Sequence, residues 1–190
     1  TLGNDMIFHK TPLKDAFTID LQPTGDERGF FSRLFCAKEF TQHGLEPCVF
    51  QANDSHSAYK GTLRGLHYQL SPMEETKLVR CINGSIFDVI VDLRPNSPTF
   101  KQWFGAELSA TNRRMLFVPR GFAHGFMTLT DDTEVLYFVS QYYSKELERG
   151  LRWDDPAFNI QWPMAPTVIS ERDRTHPDFT PAHHLLVGIS

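Results

Sequence analysis

The sequence predicts an all-β fold, a jelly-roll β-barrel carrying a few short helices. Three observations lead there. Short strand-like runs recur about every 8–12 residues with turn residues between them. Sixteen of the 190 residues are Phe, and aromatic side chains suit half-buried pleated surfaces. Two histidines stand in glycine-interrupted segments, Arg64-Gly65-Leu66-His67-Tyr68-Gln69 and Pro119-Arg120-Gly121-Phe122-Ala123-His124-Gly125-Phe126, as expected of side chains offered at a barrel mouth.

Taken in order, Thr24 to Gly29 reads as a turn and Phe30 to Phe35 as the strand after it. Residues 37–44 are the best short helix, ending near Gly44. Lys77 to Ile82 and Ser85 to Leu93 flank Asn83-Gly84, whose dipeptide suits a type I′ turn and predicts a hairpin. On its second strand Phe87, Val89, Val91 and Leu93 share one face, with Asp88 and Asp92 on the other. Met115 to Val118 and Phe126 to Leu129 flank the proline-glycine turn that holds His124. Glu134 to Ser140 follows the Asp131-Asp132 turn and presents Val135, Tyr137 and Val139 on one face. The part from Trp153 onward is irregular and proline-rich. There is no internal repeat, low-complexity tract or linker, so residues 1–190 are expected to form a single domain. Arg64 and His67 have opposite parity. Both reach one cavity only if their strand carries a bulge or kink, expected at Gly65.

Hydrophobic residues make up 41% of the chain and charged residues 22%, ordinary for a globular protein. A net charge of −4 and a pI near 6.0 argue against nucleic acid or a membrane surface as the main partner. Cys36, Cys48 and Cys81 are odd in number and lack a C-x-x-C spacing. They are expected to be small buried residues in a reducing, cytoplasmic setting. No apolar run is long enough to cross a membrane as a helix. The first residues lack a basic-then-apolar leader pattern, and Met6 is expected to be the natural start.

Pro119-x-Gly121-x-x-His124 resembles the second histidine motif of the cupin superfamily. The first motif departs from it: His67-Tyr68-Gln69 puts glutamine where a second ligand is usual, and glutamine is a poor partner to imidazole on a transition metal. Glu74 or Glu75 would have to substitute, with Lys77 placing a cation beside the metal. The expectation is no metal and no other cofactor. Without metal, a cavity histidine acts as a general base when a carboxylate fixes its tautomer and raises its basicity. Tyr137 could supply the opposing acid, Lys77 could stabilise an enolate oxygen, and Arg28, Arg64 and Arg172 could pair with phosphate oxygens. That set suits stereochemical inversion beside a carbonyl on a phosphate-bearing substrate. Taken singly, each of these residues has an ordinary structural explanation, and composition and periodicity lift none above it.

The segments taken together do. From about Ile7 to Asp173 the chain resembles the dTDP-4-dehydrorhamnose 3,5-epimerase family. The resemblance rests on Gly25-Asp26-Glu27-Arg28-Gly29-Phe30-Phe31, Gln51-Ala52-Asn53, Leu63-Arg64-Gly65-Leu66-His67-Tyr68-Gln69 and Lys77-Leu78-Val79-Arg80. It continues through Phe87-Asp88-Val89, Val91-Asp92-Leu93-Arg94, Ser97-Pro98-Thr99-Phe100, the segment from Pro119 to Phe126, Tyr137 with Tyr142-Tyr143, and Trp153-Asp154-Asp155-Pro156.

The resemblance implies a metal-free, cupin-type homodimer whose N-terminal strands cross to the partner. It implies inversion of carbon 3 and carbon 5 of a nucleotide-linked 4-keto-6-deoxyhexose. By the same resemblance His67 matches the base, Asp173 its paired aspartate, Tyr137 the opposing acid and Lys77 the residue near the keto oxygen. Arg28, Gln51, Asn53, Arg64, His124, Glu148 and Arg172 match substrate- or nucleotide-binding positions, and Phe31 and Tyr142 match aromatic positions around the nucleotide. Three positions depart from the pattern: Arg33 stands where glutamate is usual, and Phe138 and Arg172 each replace a lysine. They leave open a GDP- or CDP-linked sugar and inversion of one carbon only; a related nucleotide-sugar ketoisomerase and a non-catalytic sugar-binding cupin are the alternative readings.

Overall fold

The computed structural model describes residues 5–185; the expected domain of residues 1–190 extends beyond them at both ends. The strands in chain order are β1 (Ile7–Lys10), β2 (Phe17–Asp20), β3 (Thr24–Asp26), β4 (Gly29–Phe31), β5 (Gln51–Ser57), β6 (Thr62–Gln69) and β7 (Lys77–Asn83). They continue with β8 (Ser85–Asp92), β9 (Trp103–Ser109), β10 (Met115–Val118), β11 (Phe122–Thr128), β12 (Thr133–Val139), β13 (Glu148–Gly150) and β14 (Val168–Ile169). Three short helices are described: α1 (Ala37–Gln42), α2 (Glu171–Arg174) and α3 (Pro181–His184). The all-β, cupin-type architecture is therefore present. No described helix is long and apolar enough to cross a membrane.

Two sheets face each other. The first runs β1-β2-β10-β7-β12-β5 and the second β13-β6-β11-β8-β9, with β14 lying parallel to β6. From β5 to β13 the chain alternates between them, apart from the β8–β9 step. Their inner faces meet in a core that includes Val79, Cys81, Ile86, Ile90, Leu116, Phe126 and Val135. Each outer face is also covered. Phe40 of α1 packs on Ile19, Leu78, Met115 and Phe117, and burying a ring of that size stabilises the fold by roughly 1.5–3 kcal/mol. Leu151 and Phe158 from the C-terminal part cover Leu66, Val89 and Val91.

The helix ends as expected. Gly44 takes φ +71°, Gly44 N–H donates to Thr41 O and Leu45 N–H to Phe40 O, the two bonds of a Schellman closure. The hairpin across Asn83-Gly84 does not form. β7 pairs with β10 and β12, and β8 with β9 and β11. Gly84 (φ +74°) thus turns the chain from one sheet into the other. Asp88 and Asp92, read from alternation as the polar face of β8, are fully buried, because that face points between the sheets.

The strand expected over Phe30 to Phe35 stops at Phe31. Leu34, Phe35 and Cys36 leave it to pack around Phe40. His124 lies inside β11, not in a turn, since Gly121 (φ +78°) makes the reversal alone. Of the three free cysteines only Cys81 is buried; Cys48 is exposed. Among the described residues, the part from Trp153 onward is irregular apart from β14, α2 and α3.

The irregularity at Gly65 is present. His67 faces His124 and Arg64 faces Phe126, so three steps along β6 span two along β11. The extra residue lets Arg64 and His67 point the same way. Gly65 has φ +110°, and a Cβ there would lie 2.7 Å from both Gly125 Cα and His124 O.

Candidate active site

A cavity of about 520 Å³ opens between the sheets, lined by Arg64, His67, Lys77, His124, Tyr137, Arg172 and Asp173 among others. A second, of about 220 Å³, is lined by Gln51, Asn53, Glu75, Glu148 and Tyr143 and shares His67, Lys77 and Tyr137 with the first. His67 rises from β6 in one sheet. Lys77 and Tyr137 rise from β7 and β12 in the other. The three form a ledge between two chambers.

His67 Nε2–H donates to Asp173 Oδ1 at 2.6 Å, and Gly65 N–H donates to Oδ2 at 3.1 Å. Asp173 is held by its own helix, because its N–H donates to the Ser170 Oγ cap at 3.1 Å. Burial pushes the Asp173 carboxyl up, but His176, His67 and the Gly65 N–H outweigh it and hold the group well below the usual carboxylate range. The aspartate therefore stays ionised, and Nδ1 of His67 is left as the ring's lone-pair nitrogen.

Lys77 is buried, with Nζ 3.3 Å from Glu75 Oε1. Burial raises the Tyr137 phenol above its ordinary value; the charge of Glu75 adds to this and Arg64 opposes it. The phenol is a neutral proton donor. Asn53 on β5 lies beside Tyr137 in the ladder, and Gln51 beside Val139. Arg64 is anchored by Nε to Ser57 Oγ at 3.0 Å and Nη2 to His56 O at 2.8 Å. His124 Nε2 donates to Asp88 Oδ1 at 2.7 Å. Glu148 Oε2 accepts from Arg172 at 2.5 Å and from the Tyr143 hydroxyl at 2.7 Å. Burial raises the Glu148 carboxyl, and these two partners more than offset it.

Three expected residues stand elsewhere. Arg28 and Phe31 lie on the separate β3–β4 ribbon, where the Arg28 side chain is 85% exposed and paired to Asp26 and Phe31 is 63% exposed. Tyr142 stands outside the lining of both cavities, its ring 5.2 Å from that of Phe50. The departures also sort by place. Phe138 alternates away from Tyr137 into the outer apolar cluster, Arg33 bonds Glu39 at 3.2 Å, and only Arg172 reaches the cavity.

Three neighbours were not read from the sequence as partners of the site residues: Glu75 was weighed only as a metal ligand, Asp88 only as part of a polar strand face, and His176 was not singled out. Glu75 lies two positions before Lys77 on the same side. Asp88 interrupts the inner face of β8. His176 follows Asp173 by three positions, and its Nε2 is 3.6 Å from Asp173 Oδ1. A buried carboxylate in an apolar strand was the legible one of these; the other two depend on the fold.

Comparison with known proteins places the chain in a family. A family profile described as dTDP-4-dehydrorhamnose 3,5-epimerase matches residues 10–181. The dTDP-4-dehydrorhamnose 3,5-epimerase of Shigella flexneri is 43% identical over 177 residues, covering 93% of this chain and 98% of its own. The crystal structure of the Bacillus anthracis enzyme of that name, with TDP and PPi bound, superposes with TM-score 0.89 at 44% identity, covering 92% of this chain and 100% of the other. A Legionella pneumophila dTDP-6-deoxy-D-glucose-3,5-epimerase in complex with dTDP-4-keto-L-rhamnose gives 0.83 at 40% identity, covering 89% and 90%.

Proposed function

The chain belongs to the dTDP-4-dehydrorhamnose 3,5-epimerase family, and on that footing we propose that it inverts carbon 3 and carbon 5 of a dTDP-linked 4-keto-6-deoxyhexose. It is a carbohydrate epimerase of the isomerase class. The observation that carries the site reading is that His67, backed by Asp173, and Tyr137, from the opposite sheet, border one cavity.

The ketone acidifies the carbons on either side of it. His67 removes a proton from one face of such a carbon, and the ionised Asp173 stabilises the imidazolium that results. Negative charge grows on the keto oxygen as an enolate forms, and Lys77 is the buried cation beside it. Tyr137 returns a proton from the other face, giving the inverted centre. Each well-placed proton donor or acceptor contributes about 10²–10⁴-fold. Both carbons flank the same ketone, so one set of groups serves both after the ring shifts. Arg64, His124, Arg172, Glu148, Gln51 and Asn53 supply polar contacts along the two chambers for sugar and nucleotide.

This reading takes the chain as one catalytic domain that needs no cofactor, working in the cytoplasm, where its three free thiols stay reduced. It also takes the working form as a homodimer with exchanged N-terminal strands. The exposed positions of Arg28, Phe31 and Tyr142 support that, since they match substrate-side residues yet stand away from the cavity of their own chain.

The test is incubation with dTDP-4-keto-6-deoxyglucose in heavy water, followed by site-resolved NMR. Deuterium entering carbon 3 and carbon 5 without carbonyl migration is the expected result. A migrated carbonyl would identify a ketoisomerase. Exchange only with a GDP- or CDP-linked sugar would reassign the nucleotide, and no exchange with any of these sugars would leave a binding protein.

A further inference from the structure

The geometry points to a site for a first-row transition cation, with Zn²⁺ as the type ion, formed by His67, Asp173 and His176; its occupation replaces the proton shared by His67 and Asp173 and arrests the enzyme. The donor atoms of these three residues lie within 4.8 Å of one another. This is not the cupin-type set sought in the sequence. It combines β6 with α2 and the segment following that helix, on the C-terminal side of the dyad.

His176 is the informative member. Its Nε2 is buried and has no hydrogen-bond partner among the described residues. A buried polar atom left in this way calls for an explanation such as an ion or a water. The nitrogen stands 3.6 Å from Asp173 Oδ1, beyond hydrogen-bond distance. The ring is also seated. Gly150 lies opposite His67 in the β13–β6 ladder, and a Cβ on Gly150 would sit 2.0 Å from His176 Nε2. Glycine there clears the space the ring occupies. The His176 carbonyl accepts from Arg152 Nη1 at 3.3 Å, which fixes the backbone, and the spacing of three residues from Asp173 puts both side chains on one side of the turn.

Metal–ligand bonds of about 2.0–2.2 Å in a tetrahedron place neighbouring ligand atoms roughly 3.4 Å apart. The 3.6 Å between His176 and Asp173 already meets that spacing. The 2.6 Å between His67 and Asp173 is the length of a proton-bridged pair, and it opens when an ion takes the proton's place. Two imidazoles and one carboxylate suit zinc, iron, nickel or copper and not magnesium or calcium. Three protein ligands leave a fourth position for water. The cavity lined by His67 and Asp173 gives the ion its path in. The nearby cations do not oppose it freely, because Lys77 is paired with Glu75 and Arg172 with Glu148.

The test is titration of the full-length protein with Co²⁺, read by its visible ligand-field bands, then competition with Zn²⁺. One Co²⁺ per chain, displaced by Zn²⁺, is expected. Loss of an outer-shell partner typically costs 10–100-fold in metal affinity, so removing a ligand should cost about 100-fold or more in His176→Gln and in His176→Phe, the second keeping a ring against Gly150. His183→Gln, on α3, should bind as the wild type does. Co²⁺ binding absent up to millimolar concentration, His176 variants that bind normally, or an equal loss in His183→Gln would each overturn the site. These readings need no turnover, so they stand apart from the epimerase assignment. Arrest does rest on it: Zn²⁺ should abolish deuterium exchange in the wild type, reversibly with EDTA, and exchange that continues at saturating Zn²⁺ would remove that part.

Discussion

The imidazole of His67 and the carboxylate of Asp173 meet at 2.6 Å, although 106 positions separate them along the chain. Replacing the carboxylate with an amide keeps the shape and removes the charge. Asp173→Asn should therefore slow deuterium exchange by about 10²–10⁴-fold. The same pair has a stability signature. A carboxyl whose folded pKa is depressed stabilises the fold above its unfolded value, about 3.9, and that contribution is lost as pH falls toward the folded value. The Asp173 carboxyl is depressed despite its burial. Thermal melts should show the gap between wild type and Asp173→Asn widest near neutrality and narrowing below about pH 4; a gap independent of pH would contradict the assignment.

Tyr137 divides removal of the proton from its return. Burial and the charge of Glu75 keep its phenol protonated beyond the usual tyrosine range. In Tyr137→Phe the base is intact and the acid is gone. Inversion should fall by about 10²–10⁴-fold, while the carbon facing His67 still takes up deuterium with its configuration retained. NMR of the recovered sugar nucleotide separates the two. Equal loss of exchange and inversion would place Tyr137 on the removal step instead.

Gly65→Ala tests the bulge. Alanine at φ +110° brings its Cβ to 2.7 Å from backbone atoms of Gly125 and His124, and strain of this kind costs of order 1–3 kcal/mol. Urea unfolding should show that loss together with loss of activity. Gly44→Ala, also at positive φ but with nothing within 4 Å of the new Cβ, should cost about 1–2 kcal/mol and leave activity intact.

Exchange of N-terminal strands can be tested by mixing. His67→Ala and Arg28→Ala chains should each be impaired alone. If Arg28 serves the partner's site, a mixed dimer has one site with both residues intact, and an equal mixture should regain about a quarter of wild-type sites, as expected for random pairing into twofold dimers. If Arg28 serves its own chain, mixing restores nothing.

Much of this was legible in the sequence, for identifiable reasons. The parity conflict between Arg64 and His67 located the bulge at Gly65, because alternation is a strict rule of strands. The capping glycine located the end of α1. Asn83-Gly84 misled because its dihedral preferences suit any sharp reversal, and only the pairing of whole sheets decides whether that reversal joins neighbouring strands or opposite layers. Tyr137 was placed on the inner face by its own strand, whereas Arg28 was offered by its charge and by resemblance with no strand pattern to position it, and its ribbon lies off both sheets. His176 carried no readable mark: an Asp-x-x-His spacing has little meaning until the fold lays that segment against β6.

The ledge of His67, Lys77 and Tyr137 has two sides, and that has a kinetic consequence. A substrate made of two parts, one per chamber, is gripped at its distant end while its reactive carbon lies across the ledge. Grip at the far end then fixes the angle at which the carbon meets acid and base. Shortening such a molecule should reduce turnover as well as affinity, since the lost contacts no longer hold the remaining fragment in line.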